Sequence, residues 1–117
     1  MAEISGVRAW NPNYESFDDW VADVIKQEPN GIDEYMKMAF EEFTKDGDEK
    51  ALLIVLGQIA KAKGGFQNLA DKTGLKRESL YRTLSARGNP RFNTLFSVLG
   101  ALGYGLSLKQ IHHKTAA

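Results

Sequence analysis

The string LADKTGLKRESLYRTL, Leu69 to Leu84, holds two short helical patterns that meet across a tight turn at Thr73-Gly74-Leu75. The first, from Gln67 to Lys72, turns Leu69 and Ala70 inward. The second, from Lys76 to about Ser85, buries Leu80 and Leu84, which fall at i and i+4 with Thr83 beside them. Ala70 is small enough to let the two helices approach, and Gly74 can take the left-handed conformation that ends the first. The pattern predicts two helices crossing steeply, a helix-turn-helix. On the outer side of the second helix, Glu78, Tyr81, Arg82 and Ser85 recur at i, i+3, i+4 and i+7, with Arg77 next to them. Such a stripe offers groups that can address base edges or phosphates. A helical hairpin with a merely solvated polar face is the plain alternative.

Working outward toward the C-terminus, Gly88 ends the second helix and Pro90 fixes a turn. Arg87, Asn89 and Arg91 crowd this loop, an arrangement suited to gripping phosphates. A last helix is expected from Arg91 or Asn93 to Ala101, burying Phe92, Leu95, Val98, Leu99 and Leu102. Tyr104 to Leu108 then alternates apolar and small residues as a short strand would. One strand has no partner in an otherwise helical chain, so two readings stay open: pairing with its copy in a second subunit, or an extended tail.

Toward the N-terminus, Glu49 to Lys63 is apolar nearly all round through Leu52, Leu53, Ile54, Val55, Leu56, Ile59 and Ala60. It is the expected central helix, with Asp48 as its N-cap, Gly57 allowing a close crossing and Gly64-Gly65 stopping it. Before it stand two amphipathic patterns. One is capped by Ser16 and turns Phe17, Trp20, Val21, Val24 and Ile25 inward. The other turns Ile32, Tyr35, Met36, Ala39, Phe40 and Phe43 inward and Asp33, Glu34, Glu41 and Glu42 outward. Residues 1–15 show no period and read as a loose arm carrying Trp10 and Tyr14. The expected layout is an arm at 1–15, an acidic helical region at 16–47, a helix-turn-helix DNA-binding domain at 48–108, and a tail at 109–117. The fold class is all-α.

A chain of 117 residues makes one domain with a proper core. It has no cysteine, hence no disulfide framework or thiolate chemistry. Neither a secretory signal nor a membrane-length apolar run appears, so a soluble cytoplasmic protein is expected. Net charge is zero, yet Met1 to Lys50 holds 13 acidic and 5 basic residues, a net of −8. Ala51 to Ala117 holds 2 acidic and 10 basic, a net of +8. The asymmetry points to an acidic surface for one partner and a basic surface for another, unless the halves only neutralise each other. An enzyme is not expected: no phosphate loop, nucleophile elbow or metal-spaced cluster occurs. The adjacent His112 and His113 sit in a polar tail, and neither metal nor cofactor is expected.

With Gly74, Arg77-Glu78-Ser79-Leu80-Tyr81 and Gly88-Asn89-Pro90-x-Phe92 in view, the chain resembles the phage-repressor/Cro-type helix-turn-helix proteins. Among these it is most similar to the HigA-like addiction-module antidotes, or antitoxins. The resemblance covers Asp48 to Leu108 through TGLKRESLYRTLS, GNPRFNTL and LGALG, and more loosely Ile32 to Asp48. It implies an all-α repressor that binds double-stranded DNA at its own operator; since one recognition helix reads only a few base pairs, a homodimer is expected. It also implies a partner toxin of the RelE/HigB type, a basic ribonuclease that cleaves messenger RNA. Carried over by position, DNA contacts fall on Gln67, Asn68, Lys76, Arg77, Glu78, Ser79 and Arg82, joining Tyr81, Arg87, Asn89 and Arg91. The chain departs from the family at Lys76, where a capping Ser is usual, and at Gly64-Gly65-Phe66, where the first helix lacks its usual Ser or Thr. The acidic half suits a basic toxin, with Trp10, Tyr14, Asp18, Asp19 and Asp23 as the candidate contacts. A stand-alone phage-type repressor and an interaction module that has lost DNA binding are the competing functions.

Overall fold

The computed structural model describes residues 13–112, and among them the chain is all-helical, with no strand. Six helices follow in order: α1 (Phe17–Gln27), α2 (Gly31–Asp46), α3 (Glu49–Ala62), α4 (Gly65–Thr73), α5 (Arg77–Thr83) and α6 (Phe92–Ala101). Ser16 opens α1 by accepting from the Asp19 amide at 3.0 Å. Asp48 opens α3 in the same way, from the Ala51 amide at 3.1 Å. α3 is the hub: α1, α2 and α4 all pack on it. Its Leu53, Leu56, Ile59 and Ala60 are essentially sealed from solvent, and Ile25, Leu69, Leu80, Val98 and Leu99 close around them.

Two neighbouring residues of α3 make the key joints. At Gly57 a Cβ would stand 2.6 Å from the Leu84 carbonyl oxygen, so the missing side chain lets the end of α5 seat directly on α3. At Gln58, only 3% exposed, the side-chain amide is fully used. It accepts from the Tyr35 hydroxyl of α2 and donates to Asp18 of α1 at 2.8 Å. A buried amide with both ends satisfied ties three helices together without an orphaned polar group. Burial, reinforced by the Asp18 charge, raises the Tyr35 phenol above its ordinary range.

The structure bears on four expectations. Tyr104 to Leu108, left open between a strand paired with a second copy and an extended tail, forms no strand within the chain. The Tyr104 amide turns back to the Leu99 carbonyl at 2.8 Å and its hydroxyl donates to Asp33, which ties Tyr104 to α2. Burial and Asp33 together push that phenol up to about 12. Phe17 and Phe92, expected inward, are 54% and 72% exposed. Each is the first residue of its helix. Ile54 is exposed because α3 keeps one open side. Asp18 and Asp19, expected to be open to a toxin, lie against α3. The Lys61 ammonium donates to Asp19 at 2.7 Å and holds that carboxyl below its ordinary range.

The charge asymmetry of the sequence is also spatial. Described residues 13–50, which build α1, α2 and the first residues of α3, hold 12 acidic and 4 basic residues. Residues 51–112 hold 2 acidic and 9 basic, most of them on α4, α5 and the loop after α5. The hub helix therefore joins a negative body to a positive one. None of the described helices is long and apolar enough to cross a membrane.

Gly57→Ala should lower stability by about 1–3 kcal/mol, the usual penalty for overpacking. That is opposite in sign to the gain of about 1 kcal/mol that helix propensity alone gives for Gly to Ala. Urea unfolding followed by circular dichroism measures it. The Asp19–Lys61 pair makes a second prediction. An unfolded Asp titrates near 3.9, the native carboxyl lower, so between those values the unfolded chain binds more protons. The pair's contribution, about 1 kcal/mol or less, is complete at neutral pH. It disappears as pH falls from about 4 through the native value. Lys61→Met should therefore shrink the difference in urea midpoint between pH 5 and pH 3.

Candidate nucleic-acid interface

α4 ends at Gly74, whose φ of +76° is a left-handed cap that returns its amide to the Ala70 carbonyl at 2.9 Å. Thr73 adds a local brace: its hydroxyl donates to the Leu69 carbonyl at 2.8 Å and accepts from the Leu75 amide at 3.2 Å. After Gly74-Leu75-Lys76, α5 begins at Arg77. Lys76 is its N-cap and gives no side-chain cap bond, so the lysine side chain stays in solvent. α5 is short because it stops at Thr83, two residues before the expected end. Leu84 there leaves the helical conformation and plugs onto Gly57, and its amide still reaches the Leu80 carbonyl. Leu80 and Leu84 are buried beneath, so the opposite side of α5 is held outward.

That outward side carries Arg77, Glu78, Ser79, Tyr81 and Arg82, all exposed. The loop behind it is folded tightly. The Ser85 hydroxyl donates to the Arg82 carbonyl at 2.7 Å and accepts from the Arg87 amide at 3.2 Å. A Cβ at Gly88 would collide with the Thr83 carbonyl, so only glycine lets the loop close this far under the helix. Arg87, Asn89 and Arg91 are thereby presented in solvent beside α5, and a shallow groove runs between Glu78, Tyr81, Arg82, Ser85 and Arg87. Among the described residues the ion pairs are Lys45–Glu42 and Lys61–Asp19, so Lys76, Arg77, Arg82, Arg87 and Arg91 carry uncompensated charge.

Gln67 and Asn68 stand at the start of α4, with their amides engaged locally. Gln67 donates to Asp71 at 3.0 Å and Asn68 to the Lys63 carbonyl at 3.2 Å. As the sequence suggested, α4 has no Ser or Thr cap; Gly64, with φ of +104°, takes that place. Of the candidates in the acidic half, Asp18 and Asp19 face α3, as described above. Asp23 accepts from the Tyr14 hydroxyl and, at 3.0 Å, from Gln27. Trp10 lies outside the described residues.

Two residues of this face escape sequence reasoning. Phe66, 5% exposed, lies under Tyr81 with ring centroids 4.2 Å apart and planes 14° from parallel. Lys61 reaches to 6.0 Å from the same ring, and the Arg77 guanidinium sits 5.1 Å from it while donating to the Tyr81 hydroxyl at 3.3 Å. Tyr81 is thus a platform, seated on Phe66, on which Arg77 rests. The signal was available: Phe66 falls at i−3 and i−4 from Leu69 and Ala70. Starting the helix at Gln67 instead of Gly65 left it out.

Residues 13–110 match a family model described as probable addiction module antidote protein. An uncharacterized protein of Haemophilus influenzae is 33% identical over 78 residues, which cover 67% of this chain and 79% of the relative. No solved structure matches the chain at a significant level.

Because Tyr81 packs on Phe66 as well as facing solvent, Tyr81→Ala should lower stability by about 1–2 kcal/mol. Arg82→Ala, which removes no described side-chain partner, should change it by less than about 0.5 kcal/mol. Paired thermal melts of the two variants check the difference.

Proposed function

The chain belongs to the family of probable addiction module antidote proteins, whose role implies a toxin partner of some kind; we propose that it also binds DNA. On this reading it is a cytoplasmic, non-catalytic, HigA-like antitoxin that dimerises and represses its own operon. α4 and α5 act as a helix-turn-helix, with α5 entering the major groove. The observation that carries the reading is the set of five cations without an ionic partner, Lys76, Arg77, Arg82, Arg87 and Arg91, gathered on α5 and its flanking turns. A fold gains nothing from like charges held together in solvent, whereas a polyanion repays them through counterion release. Arg77 and Arg82 lie on the helix and are the base readers. Lys76, Arg87 and Arg91 lie on its flanks and hold phosphates.

The toxin surface falls on the acidic half. Asp18 and Asp19 are already engaged by Gln58 and Lys61, so the free carboxylates of α2, Glu34 and Glu41 with Glu42 beside them, are left to attract a basic partner. Met38, 42% exposed, adds an adaptable apolar contact on the same helix. A RelE/HigB-type ribonuclease fits this chemistry because a protein that holds RNA is itself basic. Family membership favours this antitoxin over a stand-alone repressor.

Titrations on operator and scrambled duplexes at several salt concentrations test the DNA part. Arg77→Ala and Arg82→Ala should each lower the operator-to-scrambled ratio by about 5- to 150-fold, equivalent to 1–3 kcal/mol. Arg87→Ala, Arg91→Ala and Lys76→Ala should weaken both duplexes alike and reduce the salt slope by about one each. An unchanged ratio in both helix variants defeats the assignment. In parallel, Glu41→Lys with Glu42→Lys should slow capture of the adjacent gene's product at low salt and leave operator binding intact.

A further inference from the structure

The outer side of α6 is a large apolar face that no other described element covers. Phe92 and Phe96 are 72% and 56% exposed, and their rings lie 6.4 Å apart with planes 17° from parallel. Gly100 continues the row at i+8, is exposed, and a Cβ there would meet nothing within 4 Å. A helical glycine costs about 1 kcal/mol against alanine, and no close contact among the described residues accounts for this one. Asn93 and Ser97 flank the row, both exposed and uncharged. From Phe92 to Leu108 there is no Asp, Glu, Lys or Arg, in a chain with 26% charged residues.

We propose that this face is the homodimer contact, with Phe92, Phe96 and Gly100 packing on the same residues of a second copy across a two-fold axis. The inference rests on the dimeric reading given under Proposed function and supplies its surface. Side chains near the axis of a two-fold interface face their own copies, so a charge placed there would meet its like. The uncharged run from Phe92 to Leu108 avoids that repulsion. A basic protein partner has the opposite preference and is drawn to the carboxylates of α2. At their observed exposures the two phenylalanines offer about 250 Å² per copy, given roughly 200 Å² for a whole aromatic side chain. That is about a third of the 800 Å² a stable interface needs per partner, and it is the aromatic part, where binding energy concentrates.

The full-length chain, followed by sedimentation across micromolar concentrations, should be a dimer. Phe96→Glu should raise the dimer dissociation constant about 30-fold or more. The position is more than half exposed, so the variant should keep the parental circular dichroism and cooperative melt. The chain has no cysteine, so Ser97→Cys introduces a single thiol. A short bismaleimide should then join two copies, and adding Phe96→Glu should abolish the product. Should Phe96→Glu fail to fold, the cross-link alone decides. A wild-type chain that stays monomeric overturns the proposal. So does a dimer that survives Phe96→Glu and gives no cross-link. An operator shift separates the two readings. A dimer through this face that ignores DNA defeats the DNA reading alone, and operator binding by a dimer indifferent to Phe96→Glu defeats the face alone.

Discussion

The approach of the Leu84 carbonyl to the bare Cα of Gly57 is the constraint on which the rest of this molecule depends. A carbonyl 2.6 Å from where a Cβ would be leaves no room for any other residue at that turn of α3. It fixes where α5 ends and which of its sides is buried. It also fixes the start of the loop that displays Arg87 to Arg91. One residue on, Gln58 turns to the other side of α3 and binds α1 and α2 through its amide. Two successive positions, one without a side chain and one with a fully committed polar side chain, join the acidic body to the basic one.

The charges fall into two groups with different physical roles. Asp18 and Asp19 of α1 hold Gln58 and Lys61 inside the fold, and Lys61 in turn stands over Tyr81. Asp19, Lys61, Tyr81 and Arg77 thus form a continuous line from α1 to the outer side of α5. Along it a carboxylate satisfies the ammonium, and the ring supports the guanidinium. The remaining cations of α5 and its loop have no such partner, and neither have Glu34 and Glu41 of α2. Those are the groups with electrostatic interaction to offer another molecule.

Much of this was legible in the sequence because the signals are local. The period-3.6 stripes located all six helices, and Ser16, Asp48 and Gly74 marked their ends correctly, since a cap is decided within three or four residues of itself. The outward stripe Glu78, Tyr81, Arg82 followed from the inward Leu80 and Leu84. What was missed depends on distant partners. Gln58 reads as a polar blemish in an apolar helix, because Tyr35 and Asp18 lie 23 and 40 positions away. The inward turn of Asp18 and Asp19 was invisible for the same reason. Phe92 looked like core because periodicity reports a face and is silent on what stands opposite it. Tyr104 looked like a strand because alternation over five residues cannot register a hydroxyl bond to Asp33.

The separation of a negative from a positive body along the fold also bears on how the molecule behaves before it touches anything. With a net charge of zero and a sequence pI near 6.7, the leading electrostatic moment is a dipole. A dipole in the field of a polyanion feels a torque, so the basic end turns toward it during approach, and zero net charge does not abolish steering. The same moment acts between copies of the chain, which attract head to tail when the solution contains little salt. Electrolyte shortens the range of that attraction to about 10 Å at 0.1 M. Near neutral pH this protein is therefore one that salts in, dissolving better as ionic strength rises from very low values.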